Sequence, residues 1–419
     1  MYPTASNPVQ RGPMSAIEPA AATDGGADRA MSRSAIPMVL LLLCGTALGL
    51  AGIDLVLPAV PGLPEQLDGS RGMAQLVVSA YVLGTALGLI SFGALSSVVA
   101  PRWLLVGAFT GLGVTSFLCA IAPSLEILVL IRLIQGLLSA APAVLAPALL
   151  RRAFSPATAL RALGMLSSVE ALVPALAPIA GAGLVSLVGW NGPFVTMAVA
   201  AAVVGICIAL LRRSMPAAVM RPGAGSFAAL LRKGMFLRLA LSQALTLGGL
   251  LVFVFGAPAV IEHNLGGGIG HYLALQGIGV FMFIIAANLS SILTRRYGAR
   301  PVIVAGSLLA ASGGAGLVVF ALAGGSEPLL LIPLWLPVSI GLGLRGPAAF
   351  MEALDVAADD ERGAAVILLL HTTLAAAGNA VVAMFLESGL IALTIVSAVM
   401  LVTALALVGR RTSDKSEQS

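Results

Sequence analysis

Three charged side chains stand inside otherwise apolar stretches of this sequence: Asp54, Arg132 and Glu170. A charged group is costly to bury in an apolar medium, so it persists there with a partner or beside a water-lined cavity. These residue types predict proton binding at a carboxyl, with the arginine as its charge partner. Each also has a structural interpretation: an interfacial acid for Asp54, a hydrogen-bond hub for Arg132 and a buried structural pair for Glu170.

The composition indicates which elements must position these residues. The chain is 59% hydrophobic and 10% charged, with a mean hydropathy of +1.03, whereas soluble domains carry about 25% charged residues. The apolar residues come in runs of about 20, the length with which a helix crosses a bilayer. Because lipid offers no partners to backbone groups, the spans are expected to be helices.

Twelve such runs predict an all-α membrane protein with twelve transmembrane helices. Residues 1–34 predict a disordered tail, because they are rich in Ala, Pro, Gly and Ser and contain no apolar run. The basic segment 212–236 predicts a linker between an N-terminal bundle (35–211) and a C-terminal bundle (237–409), followed by a tail at 410–419. The runs lie near 36–59, 73–96, 103–122, 126–149, 161–187, 193–211, 237–261, 270–293, 301–323, 328–350, 363–386 and 389–409.

Basic residues are distributed unequally between the two sets of connections. Twenty of the 23 lie in the tails or in the connections after even-numbered spans, whereas Arg71 alone lies on the opposite side. Because basic residues stay on the cytoplasmic side, both termini are predicted to be cytoplasmic. The net charge of +5 is thereby explained by topology and lipid contact, with no need for a nucleic-acid partner.

The two halves of the chain contain a short internal repeat. A shift of 198 residues places "LSSVVAPR", which ends at Arg102, over "LTRRYGAR", which ends at Arg300. Both segments follow the second span of their half, which favours a real repeat over chance similarity. Two six-helix bundles around a central site are the architecture of the major facilitator superfamily, and the sequence resembles that family in further motifs.

The fourth and first spans contain the first of these motifs. "LVLIRLIQGLLSAAPAV" is similar to the fourth-span motif of major facilitator drug:proton antiporters, with Arg132, Gln135 and Gly136 at the family spacing. Asp54 followed by Pro58 resembles the first-span signature of the Bcr/CflA branch of multidrug efflux transporters. The resemblance implies that Asp54 and Arg132 couple transport to protons and that Gln135 lines the substrate cavity. Glu170 matches no family motif, and its place within an apolar span predicts proton or substrate binding as the alternative to a buried structural pair.

The fifth span resembles the antiporter motif rich in Gly and Pro. The motif positions here are Pro174, Pro178, Gly181 and Gly183. Prolines and glycines within spans kink helices and permit close packing, so they could act as hinges, although packing alone explains many of them.

The connection after the second span departs from the family pattern, which places an acid in it. Gly93 is kept, but Ser97 stands where the family has Asp, and Arg102 ends the segment. The family Asp caps a helix and holds the cytoplasmic gate shut, so Ser97 indicates either a retuned gate or drift in a tolerant loop. Gate partners in the second half are expected at Arg295, Arg296 and Arg300, which could equally be topology determinants.

The second half offers two further polar residues within one span. His371 and Asn379 are eight residues apart and so lie near one helix face. They are predicted either to line the substrate cavity or to form helix-to-helix hydrogen bonds. Arg345, followed by Glu352 and Asp355, predicts a salt-bridge patch at the cytoplasmic end of the tenth span.

Several classes of protein do not fit the sequence. Cys44, Cys119 and Cys207 form no CxxC pair, three His are widely separated, and the chain has no nucleotide-binding Gly-Lys-Ser/Thr loop. We therefore expect neither an enzyme nor a metal or other cofactor.

The resemblance implies a proton-coupled exporter of small amphipathic molecules, a monomer in the bacterial inner membrane. Its expected partners are a small-molecule substrate, protons and the lipid bilayer. An importer or facilitator of a specific metabolite is the alternative, and a non-transporting sensor with this fold is a third.

Overall fold

In a computed structural model of the protein, residues 36–154, 156–211, 215, 227–357, 360–385 and 388–409 are described. The predicted tails 1–34 and 410–419, and most of the predicted linker 212–236, lie outside these residues. Twelve long helices follow in chain order: α1 (Ile36–Asp54), α2 (Arg71–Leu95), α3 (Pro101–Ala120), α4 (Leu125–Ala153), α5 (Pro156–Val188), α6 (Gly192–Leu211), α7 (Gly234–His263), α8 (Ile269–Tyr297), α9 (Ala299–Leu322), α10 (Leu331–Ala357), α11 (Asp360–Met384) and α12 (Leu390–Gly409).

Short helices connect some of the long ones. A 3₁₀ helix (Leu57–Gly62) and one helical turn (Leu63–Gln66) follow α1, a short helix (Phe227–Arg232) precedes α7, and a 3₁₀ turn (Pro328–Leu330) precedes α10. Eleven described helices are long and apolar enough to cross a membrane. The twelfth span is α5, which bends by 45° between the segments Ala162–Glu170 and Leu172–Val188, so the prediction of twelve transmembrane helices is confirmed.

The first span is shorter as a continuous helix than its apolar run predicts. Proline has no N–H, so Pro58 cannot donate to the carbonyl four residues earlier, that of Asp54. The α-helix ends at Asp54, and the chain continues as the 3₁₀ helix in which Ala59 N–H donates to the Val56 carbonyl at 2.8 Å. The spacing of Asp54 and Pro58 therefore places the carboxyl at a helix end within the first span.

Other helix ends have ordinary local causes. Ser70 and Ser124 cap the starts of α2 and α4, since their hydroxyls accept hydrogen bonds from the N–H of Met73 and Ile127. Gly298, at φ +86°, separates α8 from α9, a conformation that glycine adopts without a steric penalty.

The helices form two six-helix bundles with equivalent close contacts. In the N-terminal bundle α2 packs along α4, and α1 packs on α4, α5 and α6; in the C-terminal bundle α8 and α9 pack along α10, and α7 packs on α11 and α12. A Cβ at Gly136 of α4 would meet the Tyr81 carbonyl of α2, and one at Gly343 of α10 would meet the Phe283 carbonyl of α8. Glycine thus permits the same close approach in both halves.

The bundles meet along α2 with α11 and α5 with α8, and the 3₁₀ helix after α1 contacts α7. We call the side with the start of α1 and the end of α12 the terminal face, and the opposite side the distal face. Gly72 near the distal start of α2 approaches the Ala383 carbonyl near the distal end of α11. The bundles are therefore in close contact near the distal face.

Candidate functional site

The guanidinium of Arg132 is enclosed between α2, α3 and α4. The residue is 0% exposed, its Nε donates to the Val77 carbonyl at 3.2 Å, and its Nη1 donates to Gln135 Oε1 at 2.7 Å. The group stacks on the Tyr81 ring at 4.1 Å and lies 5.8 Å from the Phe194 ring. Its Nη2 has no hydrogen-bond partner among the described residues. Arg132 is thus a buried cation whose Nη2 donates to no described residue.

Gln135 connects this cation to α3. Its Nε2 donates to Ser116 Oγ at 2.7 Å, and Ser116 donates to the Leu112 carbonyl at 2.6 Å. Gln135 is 0% exposed, so in this conformation it lies in the packed bundle and does not face solvent. The hub interpretation of Arg132 is the arrangement found.

Asp54 lies near this hub without pairing with it. The residue is 8% exposed, and the structure has no Asp54–Arg132 ion pair. Tyr81 connects the hub to α1: its ring stacks on the guanidinium, and its hydroxyl donates at 2.7 Å to the carbonyl of Gly49, which belongs to the helix that ends at Asp54. In place of the expected direct contact, the hub is linked through Tyr81 to the backbone of the helix that carries Asp54.

The end of the first span lies beside the other bundle. The 3₁₀ helix that follows Asp54 contacts α7. Tyr272 of α8 is fully buried, and its hydroxyl has no hydrogen-bond partner in the described part of the chain. Asp54 is therefore close in the chain to the place where the two bundles meet.

Polar side chains join α2 to α11 in a cluster that we call the distal clasp, formed by Gln75, Ser79 and Asn379. Gln75 Nε2 donates to Asn379 Oδ1 at 2.7 Å and to the Phe255 carbonyl at 3.1 Å, and Asn379 Nδ2 donates to Ser79 Oγ at 2.8 Å. All three residues are buried. Asn379 thus forms helix-to-helix hydrogen bonds, one of the two roles predicted for it.

The prolines of α5 create another bond between the bundles. Pro178 lacks the N–H that would donate to the Pro174 carbonyl, and this carbonyl instead accepts a hydrogen bond from Gln276 Nε2 of α8 at 3.3 Å. Nearer the distal face, His263 Nε2 lies 3.1 Å from the Pro61 carbonyl.

The sequence profile of the Major Facilitator Superfamily matches residues 42–383. The chain belongs to the Major Facilitator Superfamily. Among curated proteins, this family member is 26% identical over 235 residues to the uncharacterized MFS-type transporter YdgK of Bacillus subtilis, covering 54% of this chain and 58% of that protein. It is 27% identical over 258 residues to the multidrug resistance protein MdtL of Salmonella typhi, covering 59% of this chain and 65% of that protein. These alignments span less than two thirds of either relative.

Solved structures of transporters have the same fold. A peptide transporter POT mutant in complex with alafosfalin superposes with a TM-score of 0.71 at 13% identity, covering 88% of this chain and 93% of that one. A bacterial homolog to the human lysosomal transporter Spinster superposes with a TM-score of 0.70 at 15% identity, covering 88% and 95%. These likenesses show the fold of this major facilitator, and the family match agrees with the expectation of a transporter.

Glu170 and His371 are the remaining predicted cavity residues of this major facilitator. Glu170 lies at the bend of α5 with an exposed side chain, about midway along the helix. His371 is half-buried on α11, eight residues and about 12 Å from Asn379 toward the terminal face. The structure brings neither into contact with the distal clasp.

The glycines of the fifth-span motif differ in their surroundings. A Cβ at Gly181 would meet the Leu55 carbonyl, next to Asp54, whereas one at Gly183 would meet nothing within 4 Å. Gly181 therefore permits α5 to approach the end of α1, and Gly183 has no such role in this conformation.

The predicted gate residues do not meet in this major facilitator. Ser97 is half-buried and donates to the Ala94 carbonyl at 2.7 Å, so its hydroxyl is a donor that caps the end of α2. A Cβ at Gly93 would meet nothing within 4 Å, and Arg102 is half-buried. Arg295 and Arg296 are exposed at the end of α8, and Arg300 is exposed at the start of α9. Among described residues, no hydrogen bond or ion pair joins residues 93–102 to these arginines.

Arg345 is not part of the predicted salt-bridge patch. It is 1% exposed and donates to the Ser242 carbonyl at 3.2 Å, to Ser242 Oγ at 3.0 Å and to Thr246 Oγ1. The α10 helix turns this side chain inward toward α7, where hydroxyl and carbonyl oxygens accept from it. Within the described ranges, no group of three His, Cys, Asp or Glu side chains could hold a metal ion.

Proposed function

We propose that this chain exports small amphipathic molecules in exchange for protons by alternating access of its two bundles. The observation that carries the proposal is the buried carboxyl of Asp54, at the end of the helix to which Tyr81 of the arginine hub is hydrogen-bonded. The resemblance of the first span to the Bcr/CflA branch and the similarity to proteins named for multidrug resistance support export. An ionisable group buried in a membrane is a functional candidate by default.

The orientation in the membrane belongs to the same proposal. The excess of basic residues on the terminal face supports a cytoplasmic location for both termini, in a bacterial inner membrane. The N-tail, the two bundles, the linker and the C-tail then have the boundaries predicted from the sequence, and the protein works as a monomer. The distal face is external, so the distal clasp closes the site from outside in the described conformation.

The clasp and the arginine hub use opposite sides of the same helix segment. Residues 75 and 79 of α2 bond to α11, whereas the Val77 carbonyl and the Tyr81 ring contact Arg132. A proton that changes the charge of Asp54 changes the balance of forces on Tyr81 and hence on α2. Opening of the clasp then exposes Asp54 to the outside, and the acid exchanges its proton there.

Glu170 and His371 are assigned to the substrate path. An exposed carboxyl midway along a membrane helix is stable beside water and costly against lipid, which supports a position at the central cavity for Glu170. A cationic or amphipathic molecule fits a cavity that contains this acid.

The test is Asp54→Asn in proteoliposomes. The amide keeps the shape of the side chain but removes its titration, so efflux driven by a pH gradient should fall by at least about tenfold. Exchange of substrate across the membrane at equal pH should persist, because the bundles can still rock around a permanently neutral site.

The matched control is Asp68→Asn. Asp68 is an exposed acid at φ +47° in the distal connection, a backbone conformation that Asn adopts readily. This variant should retain gradient-driven efflux. If Asp54→Asn transports with full dependence on the gradient, the coupling acid lies elsewhere, and Glu170→Gln is the next variant to compare in the same two assays. If wild-type protein accumulates substrate inward, the importer alternative replaces export.

A further inference from the structure

A basic cleft at the terminal end of the C-terminal bundle is not used by the proposed transport cycle. It lies between α7, α9, α10 and α12, and its cavity volume is about 20 Å³, room for about one water molecule. A larger ligand must therefore bind at the rim. The residues used below are Arg238, Ser242, Arg300, Arg345 and Glu352, all of which line the cleft.

The floor of the cleft contains a buried cation without a counter-charge. Arg345 donates to the uncharged oxygens of Ser242 and Thr246. Its Nε is buried without a hydrogen-bond partner, and no ion pair to Arg345 occurs in the part of the chain that the structure describes. A buried guanidinium in this state is stabilised by any anion that approaches it.

The rim adds two further cations and one acid. Arg238 is half-buried, Arg300 is exposed and Glu352 is half-buried, so three cations face one carboxylate around the cleft. Arg300 is the second residue of α9, and Val408, near the end of α12, completes the lining. The rim therefore lies at the ends of the membrane helices, where lipid phosphates of that leaflet are found.

We propose that this cleft binds a phosphate-bearing anion, with Arg238 and Arg300 as ligands at the rim and Arg345 as the cation beneath. Guanidinium groups form short, strong hydrogen bonds to phosphate oxygens, and two of them can share one phosphate. The phosphate belongs either to the headgroup of an acidic phospholipid or to a free phosphate from the aqueous phase.

The experiment uses the full chain in nanodiscs and measures the midpoint of thermal unfolding. Phosphatidylglycerol is titrated into phosphatidylcholine discs in one arm. In the other, inorganic phosphate is titrated against chloride at equal ionic strength in discs of phosphatidylcholine alone. A ligand of the folded state raises the midpoint in proportion to its affinity.

Arg300→Gln carries the test, because this exposed residue can be replaced without disturbing the core. It should weaken the apparent affinity about tenfold, the effect of one charge-assisted hydrogen bond. Arg295→Gln is the matched control: it removes an exposed arginine of the same face that does not line the cleft, and the affinity should not change. Glu352→Gln removes the acid at the rim and should strengthen binding.

Arg300-dependent stabilisation by phosphatidylglycerol alone identifies the ligand as a lipid headgroup. Arg300-dependent stabilisation by inorganic phosphate identifies it as a free phosphate. If neither ligand raises the midpoint, or if Arg300→Gln and Arg295→Gln weaken binding equally, the cleft is not an anion site.

Discussion

Among the described residues, each bundle buries one arginine almost completely, and the two arginines have different surroundings. Arg132 lies in the distal half of α4, stacked on Tyr81 and bonded to Val77 and Gln135. Arg345 lies nearer the terminal end of α10 and donates to oxygens of α7. The shift of 198 residues that aligns the two short repeats places Arg132 opposite Leu330 and not opposite Arg345.

The difference shows that a buried arginine takes its role from its neighbours. Arg132 is stacked on the Tyr81 ring and lies near the Phe194 ring, and Tyr81 also bonds to the helix that ends at Asp54, a setting in which a change of charge can be transmitted. Arg345 fixes α10 to α7 within one bundle and faces a cleft at the terminal end. The N-terminal bundle is therefore the proposed site of proton coupling.

The largest expected effect is the difference in transport between the lysine variants of the two arginines. Arg132→Lys keeps the charge but loses the planar group that stacks on Tyr81. An ammonium group also cannot donate to Val77 and Gln135 from two separated nitrogens. Gradient-driven transport in proteoliposomes should therefore fall by about tenfold or more. Arg345→Lys should retain transport within about twofold, because one ammonium group can donate to the clustered oxygens of Ser242 and Thr246. Equal losses in the two variants would contradict the division of roles between the bundles.

A smaller effect is expected at the distal clasp. Asn379→Ala removes the acceptor of Gln75 and the donor to Ser79, each worth about 1 kcal/mol. The population with an open distal side should rise about fivefold or more, measured as faster labelling of a cysteine introduced at Ala383, which is buried beside Gly72 where the bundles meet.

Asn288→Ala is the control for the clasp. Asn288 is an exposed asparagine of α8 that donates to the Ile284 carbonyl of its own helix at 2.8 Å. Labelling should be unchanged in this variant. An equal increase for both asparagine variants would mean that the clasp does not hold the distal side closed.

The smallest expected effect concerns the freed carbonyl of α5. Pro178→Ala restores an N–H for the Pro174 carbonyl, so the bond from Gln276 should weaken and the opening equilibrium should shift by about threefold or less. Gln276→Ala removes the same bond from the other side. The double variant should therefore shift labelling no further than the larger single effect, and full additivity would refute the coupling.

The membrane spans were predictable from the sequence, because apolar run length reports the thickness of the bilayer. The hub around Arg132 was also anticipated, since its spacing to Gln135 is local to one helix. The clasp was not: Gln75 and Ser79 match no motif, and their partner Asn379 is about 300 residues away in the chain. Their spacing of four residues on an apolar helix was the one available signal.

Two other features depended on tertiary packing. Pro174 and Pro178 in the sequence indicate a bend in α5. The hydrogen bond from Gln276 to the Pro174 carbonyl could be predicted only with knowledge of where α8 lies. The acids that follow Arg345 in the sequence predict a surface patch, whereas its position on α10 directs the side chain toward α7. Sequence separation and helix rotation limited the site prediction more than the fold prediction.

The buried Oε1 of Gln75 has no hydrogen-bond partner within the described residues, although the amide nitrogen of the same side chain has two. An unsatisfied buried acceptor raises the free energy of the state that contains it by about 1–3 kcal/mol. This penalty applies to the closed clasp and disappears when water enters, so the closed state occupies a shallow free-energy minimum. The activation barrier for opening is therefore lower than it would be if every buried polar atom of the clasp were hydrogen-bonded. Because opening is faster, the turnover rate is higher.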